Sequence, residues 1–345
     1  MFRFRGCLVI VFLWLIAFNS GASAYHTQRL PPQGVFDNCN VGTDLTQCEQ
    51  RVQRLGEAGF QLQMVGGALN GDLPTTLQYA ATSARSGVRN IWPLTEVGWW
   101  QGYDPNGTDM LTRYNLITDC PDCRTNEDVL RFIVGSLKGR STWGYYIADD
   151  SQILPGRMSR YLPGLRAFTA RIHRIDPNAR TIISSYVLNG NSGKELARYR
   201  GAADVILQED YPIWSNTLGT GKLRRQVTQT SMAMARGARP GLATGAILQS
   251  WAWSEAYCGP SLPPSRFPNL KELEVLRDIT VRYHPAIIMW FTATQVLGWP
   301  EGQADPCWMN IDPIEAERRW RNLQIAVFRT LPPVAIKSPV KAMAP

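Results

Sequence analysis

The sequence predicts an α/β protein of the (β/α)8 (TIM) barrel type, a single ring of parallel strands with helices between them. Three observations lead there. Eight short runs rich in β-branched and aromatic residues recur along the chain. Most of them are continuously apolar rather than alternating, as parallel strands buried on both faces must be. Segments of helical periodicity fill the gaps between them. The competing arrangement is an open, doubly wound sheet. It lacks its usual support, because no Gly-x-Gly-x-x-Gly loop follows the first run.

The expected strands are Gly34–Asn38, Phe60–Gly66, Val88–Leu94, Thr142–Asp149, Thr181–Leu188, Asp204–Asp210, Thr244–Trp253 and Ala286–Ala293. Leu45, Cys48, Val52 and Leu55 share one face of a helix after the first strand. Val129, Ile133 and Leu137 repeat that spacing, as do Leu165, Phe168 and Ile172. Leu273, Leu276, Ile279 and Tyr283 follow, and Trp320, Leu323 and Val327 close the series. Asn126 is placed to cap a helix, with Glu127 and Asp128 in its first turn and Gly139 beyond its end. The segment Thr95–Thr125 is too long for a simple connection. It carries Trp99, Trp100 and the sequon Asn106-Gly107-Thr108, and is expected to fold over the barrel mouth.

The chain begins like a secretory signal. Arg3 and Arg5 precede an apolar stretch from Leu8 to Phe18, and Ala22-Ser23-Ala24 is a small-residue cleavage site. A retained anchor is the alternative, but the apolar stretch is short for a span. The expected organisation is a signal peptide over 1–24, a barrel over 25–331 and a loose, Pro-containing tail over 332–345. The mature protein is expected outside the cell or in the periplasm, as a monomer without a membrane segment.

With Cys7 in the signal set aside, Cys39, Cys48, Cys120, Cys123, Cys258 and Cys307 form an even set, which suits disulfides in an exported chain. The local pairing is Cys39–Cys48, Cys120–Cys123 and Cys258–Cys307. A zinc or redox role for Cys120-Pro121-Asp122-Cys123 lacks a second ligand pair and a thioredoxin-like context. With only His26, His173 and His284, no metal or other cofactor is expected. The net charge of +8 comes with arginines scattered along helices (Arg51, Arg54, Arg166, Arg171, Arg224, Arg225, Arg318, Arg319). That pattern marks solvated faces, whereas a nucleic-acid groove needs clustering with exposed aromatics. Attraction to anionic polymers of an envelope remains open.

Acids fall at or just past the expected strand ends, which a barrel gathers on one face. They are Asp37, Glu96, Asp149, Asp150, Glu209, Asp210 and Glu255. Aromatic residues accompany them: Trp92, Trp99, Trp100, Tyr146, Tyr211, Trp214, Trp251, Trp253 and Trp290. Such rings stack on the apolar faces of sugars, while carboxylates serve the hydroxyls. Glycosidic cleavage needs one carboxyl to protonate the leaving oxygen and a second to attack or to activate water. A Ser-based hydrolase is disfavoured, because no Gly-x-Ser-x-Gly elbow occurs and His173 and His284 sit poorly for a triad.

Three segments carry a resemblance: Gly144-Tyr-Tyr-Ile-Ala-Asp-Asp150, Asp204-Val-Ile-Leu-Gln-Glu-Asp-Tyr-Pro212 and Ile247-Leu-Gln-Ser-Trp-Ala-Trp253. With the closing strand Ala286-Ile-Ile-Met-Trp-Phe291, the chain resembles the secreted glycoside hydrolases built on (β/α)8 barrels. The largest clan of that group places its acid/base at the end of strand four and its nucleophile at the end of strand seven. The resemblance then implies Asp150 as acid and Glu255 as nucleophile. This chain departs from the clan in carrying Asp149-Asp150 where Asn-Glu is usual. Other barrel glycosidases keep the second carboxylate on strand six, which implies Glu209 or Asp210 paired with Asp149 or Asp150. Asp150 with Glu209 is the preferred pair, and Glu255 the substitute for Glu209. Asp37, Glu96 and the rings are expected to bind substrate. The other reading is a non-catalytic glycan-binding barrel, and a third is an envelope-associated structural protein.

Overall fold

A computed structural model describes residues 30–95, 104–149, 158–185, 192–213, 220–252, 265–297 and 311–328. All of them belong to one compact unit. Eight parallel strands close into a barrel in chain order. They are β1 (Gln33–Asn40), β2 (Leu62–Gly67), β3 (Arg89–Pro93), β4 (Thr142–Ala148), β5 (Arg180–Ser185), β6 (Val205–Asp210), β7 (Ala243–Gln249) and β8 (Ile288–Phe291). The ring closes where Gln33, Gly34 and Val35 of β1 pair with Ile288, Met289 and Trp290 of β8.

Around the barrel run α1 (Leu45–Glu57), α2 (Leu73–Arg85), α3 (Asn126–Leu137), α4 (Met158–Ile175), α5 (Ser192–Ala197), α6 (Thr220–Gly237), α7 (Leu270–Val281), α8 (Thr294–Leu297) and α9 (Pro313–Phe328). The apolar stripes expected from the sequence are the faces they bury. Cys48, Val52 and Leu55 are buried in α1, Val129, Ile133 and Leu137 in α3, and Trp320, Leu323 and Val327 in α9. Tyr283 lies past the end of α7 rather than in it.

The barrel interior is packed, not hollow. Phe36, Leu62, Ile182, Val205, Leu207, Ile247 and Met289 meet there in one apolar cluster, as layered side chains fill such barrels. Space is tight enough to require glycine. A Cβ at Gly144 would lie 2.4 Å from the Arg180 carbonyl oxygen, and one at Gly34 2.5 Å from the Met289 sulfur.

Strand ends differ from expectation by a few residues. β7 stops at Gln249, not Trp253, because the Gln249 side chain turns to local backbone. Its amide donates to the Ile213 and Trp251 carbonyls and accepts from the Ile213 N–H. The α3 cap is Thr125, not Asn126. Thr125 and Asp128 exchange the bonds of a capping box. Asn126 instead bonds the Asp104 carbonyl and the Met110 N–H, tying down the long connection.

That connection forms two 3-10 turns, Asp109–Thr112 and Asn115–Asp119, beside the β2–α2 junction. There Asn115 donates to the Asn70 carbonyl at 2.6 Å and Asp119 accepts from the Leu73 N–H at 2.7 Å. Cys39–Cys48 and Cys120–Cys123 are disulfides. The Cys258–Cys307 pairing, the signal segment 1–24 and the tail 332–345 lie outside the described residues. No helix among the described residues is long and apolar enough to cross a membrane.

Candidate active site at the barrel mouth

Alternation along each strand decides which side chains face the barrel axis. On β6, Val205 and Leu207 belong to the interior cluster, so Glu209 is the next inward residue. It pairs across to Ile247, which pairs to Met289, and both belong to that interior cluster. Glu209 is only 7% exposed, so it stands at the top of the packed core.

Asp149 follows the last residue of β4 and reaches back over the same interior. One of its oxygens accepts from the Tyr146 hydroxyl at 2.9 Å and from the Ser184 hydroxyl at 3.1 Å. Tyr146 and Ser184 are themselves 2.7 Å apart. The Tyr146 phenol is pushed well up by burial, and further by the Asp149 and Glu209 carboxylates near it. It therefore stays protonated and donates a hydrogen bond to Asp149, with the Glu209 carboxylate nearby.

Aromatic rings surround this group. Phe36 packs edge-on to Tyr146 at 5.7 Å and to Phe291 at 5.5 Å. Tyr211 lies 5.9 Å from Phe291 and 5.3 Å from Trp251. Tyr211 and Phe291 are half-buried and keep part of their rings at the surface, while Trp251 is buried beneath them. The floor of the mouth thus joins carboxylates to flat apolar surface.

Four residues expected here sit elsewhere. Asp210 is one position past Glu209 and faces outward. It is buried between β6 and α6, beside Gln226 and Thr230, with its Oδ2 lacking a hydrogen-bond partner among the described residues. Burial pushes its carboxyl up to about 7, with the Gln226 and Thr230 side chains pulling the other way. Asp37 likewise faces α1. It forms a buried ion pair with Arg51 (Arg51 Nε to Asp37 Oδ2, 2.8 Å) and accepts from Thr294 at 3.0 Å.

Trp92 pairs with Tyr145, whose hydroxyl reaches the Val134 carbonyl of α3, so both point at the helical layer. The Trp92 indole is spent on Thr142 at 2.8 Å. Trp290 shares the outward row of Asp210 and Leu248, and donates to Gln33 at 3.0 Å. On β8 the ring at the mouth is Phe291, one residue further on. Ser184 and Phe36 were not foreseen. Their only signal was position, a small hydroxyl near the end of β5 and an apolar ring inside β1. Asp150, Glu255, Glu96, Trp99, Trp100, Trp214 and Trp253 lie outside the described residues. Among the described residues no group of three His, Cys, Asp or Glu side chains is arranged to hold a metal ion.

Fold and mouth together define a (β/α)8 barrel with acids and aromatic rings gathered at the carboxyl ends of its strands. No protein-family model and no curated sequence matches the chain. Solved structures match it in fold. The endo-beta-1,4-mannanase from Thermotoga petrophila aligns with a TM-score of 0.56 at 10% identity, covering 87% of this chain and 77% of its own. The exo-beta-1,4-mannosidase Op5Man5 from Opitutaceae bacterium strain TAV5 gives 0.54 at 16% identity, over 88% of this chain and 60% of its own. The GH10 xylanase from Thermobacillus composti gives 0.50 at 12% identity, over 88% and 98%. At these identities the likeness is one of fold.

Proposed function

We propose that the mature chain is an exported glycoside hydrolase that cleaves an O-glycosidic bond in an oligo- or polysaccharide. In this reading residues 1–24 are removed on export and 332–345 form a tail outside the catalytic barrel. Asp150 protonates the leaving oxygen. Glu209 supplies the second carboxylate, as nucleophile or as the base that activates water. Asp149 does not transfer a proton; fixed by Tyr146 and Ser184, it aligns the chain at Asp150 and adds negative charge opposite a developing oxocarbenium ion. Tyr211 and Phe291 offer ring faces to the sugar.

One observation carries the reading. Asp149, just past β4, and Glu209 on β6, sixty residues apart in the chain, both bear on one buried phenol at a ring-lined mouth. The fold shared with solved mannanases and xylanases supports it, and the disulfides suit an oxidising compartment.

The test is turnover on a panel of mannan, xylan, galactan and short aryl glycosides, with binding measured in parallel. Glu209→Gln and Asp150→Asn are each expected to lower kcat by about a thousandfold with little change in KM. Turnover that survives both substitutions overturns the assignment. Glycan binding without turnover by the parent protein identifies a binding barrel instead.

A further inference from the structure

The end of the barrel opposite the mouth carries a pattern that the proposed reaction does not use. Helix-to-strand connections and strand starts meet there. An exposed arginine stands before or at the start of each of six successive strands: Arg89 at β3, Arg140 at β4, Arg180 at β5, Arg200 at β6, Arg239 at β7 and Arg282 at β8. None of the six forms an ion pair among the described residues. On the helical flanks some arginines are paired, whereas others, such as Arg174, Arg224 and Arg225, form no ion pair among the described residues either. Arg54 pairs with Glu317, Arg131 and Arg171 share Glu127, and Arg318 and Arg319 share Glu315.

Several of the six are held in place by neutral groups. Arg89 donates to the Thr142 carbonyl at 2.9 Å, and Arg239 to the Arg236 and Ala238 carbonyls at 2.6 Å each. Arg180 lies 4.8 Å over the ring of Trp143. Partial burial and the neighbouring Arg180 hold the Arg89 guanidinium below its ordinary value, so these two charges face each other. A half-buried acid on this face, Asp204, is already taken up by His173 at 2.8 Å and by Thr181.

Helix C-termini attract cations, which accounts for a basic residue in a last turn. It does not account for Arg89 and Arg180, which are first residues of strands, or for Arg239, which lies beyond α6.

We propose that this basic face binds an acidic polysaccharide, docking the protein on a uronate-bearing matrix with its mouth turned outward. Guanidinium forks match carboxylates in two-point geometry better than ammonium groups do. The large apolar side chains exposed among the described residues, Ile314 and Ile325, lie on α9. Among the described residues the face thus shows neither the exposed rings that stack nucleic-acid bases nor the wedge that enters a bilayer. The choice of a glycan over other polyanions rests on the glycosidase reading, whereas the binding itself does not.

The experiment measures binding of the full mature protein to polygalacturonate at low and high NaCl, beside phosphatidylglycerol vesicles and duplex DNA. Expected is tightest binding to polygalacturonate, weakening at least tenfold at high salt. The triple variant Arg89→Ser/Arg180→Ser/Arg239→Ser is expected to bind at least tenfold more weakly. Charge reversal at two sites, Arg140→Glu/Arg282→Glu, should do the same with unchanged thermal melting. Glu209→Gln should bind like the parent, so loss of turnover and loss of docking are read separately. Undiminished binding by the charge-reversed variant, absence of binding at low salt, or tighter binding to vesicles or DNA overturns the proposal.

Discussion

The Tyr146 hydroxyl donates to Asp149, just past the end of β4, and lies near the Glu209 carboxylate of β6. Tyr146→Phe keeps the ring against Phe36 but removes the bond to Asp149. A hydrogen bond to a charged group is worth about 1.5–3 kcal/mol. The expected result is a fall in kcat of about tenfold to a hundredfold with KM nearly unchanged, read from steady-state kinetics. A fall in KM affinity alone would instead mark Tyr146 as a substrate contact.

Asp210 makes a different claim. Its folded value of about 7 lies above its ordinary 3.8. Between those values the folded chain holds a proton that the unfolded chain has lost. Its contribution is therefore fully favourable below the ordinary value, and is lost as pH rises through the folded one. The cost above neutrality is about 4 kcal/mol as an upper bound. Asp210→Asn is expected to raise the melting temperature near pH 8 and to leave it nearly unchanged near pH 4, in paired calorimetric scans.

These two neighbours, Glu209 and Asp210, show what was legible at this scale. The sequence marks both as acids at the end of a strand. It does not say which faces inward, because Val205, Ile206 and Leu207 are all apolar and hide the phase of the alternation. The same ambiguity moved the β8 ring from Trp290 to Phe291 and turned Asp37 and Trp92 toward helices.

At the scale of elements, composition was a better guide. Parallel strands buried on both faces are written as apolar runs, so all eight could be found. Helices show their packed face by spacing. Ends were less legible, since they are set by tertiary hydrogen bonds. Asn126 has the chemistry of a cap, but Thr125 takes the cap and frees Asn126 to brace the Asp104–Asp109 turn. Disulfides between near neighbours were legible because proximity along the chain leaves few partners. Cys39–Cys48 closes β1 onto α1 across a separation of nine residues. Loop-closure entropy for that span is about 2–3 kcal/mol. Cys39→Ser/Cys48→Ser is expected to lose about that much stability in urea titration, more than Cys120→Ser/Cys123→Ser with its separation of three.

For the whole molecule, closure is the decisive event. Strand β1 needs β8, and the last helix seals the seam from outside. Trp320 in α9 stacks on Phe60 at 5.7 Å, with Arg54 of α1 5.5 Å over its ring. Trp320→Ala therefore opens a cavity between α9, α1 and the start of β2, and is expected to cost about 3–5 kcal/mol. A loss below about 1 kcal/mol would show that α9 is an appendage.

Because Phe36, Ile182, Val205 and Met289 plug the barrel from within, there is no through-passage along its axis. Whatever arrives at Glu209 departs by the door it came in. On the proposed reaction, spent fragments and fresh ligand share the same end of the barrel, so inhibition by product is expected to follow a competitive pattern.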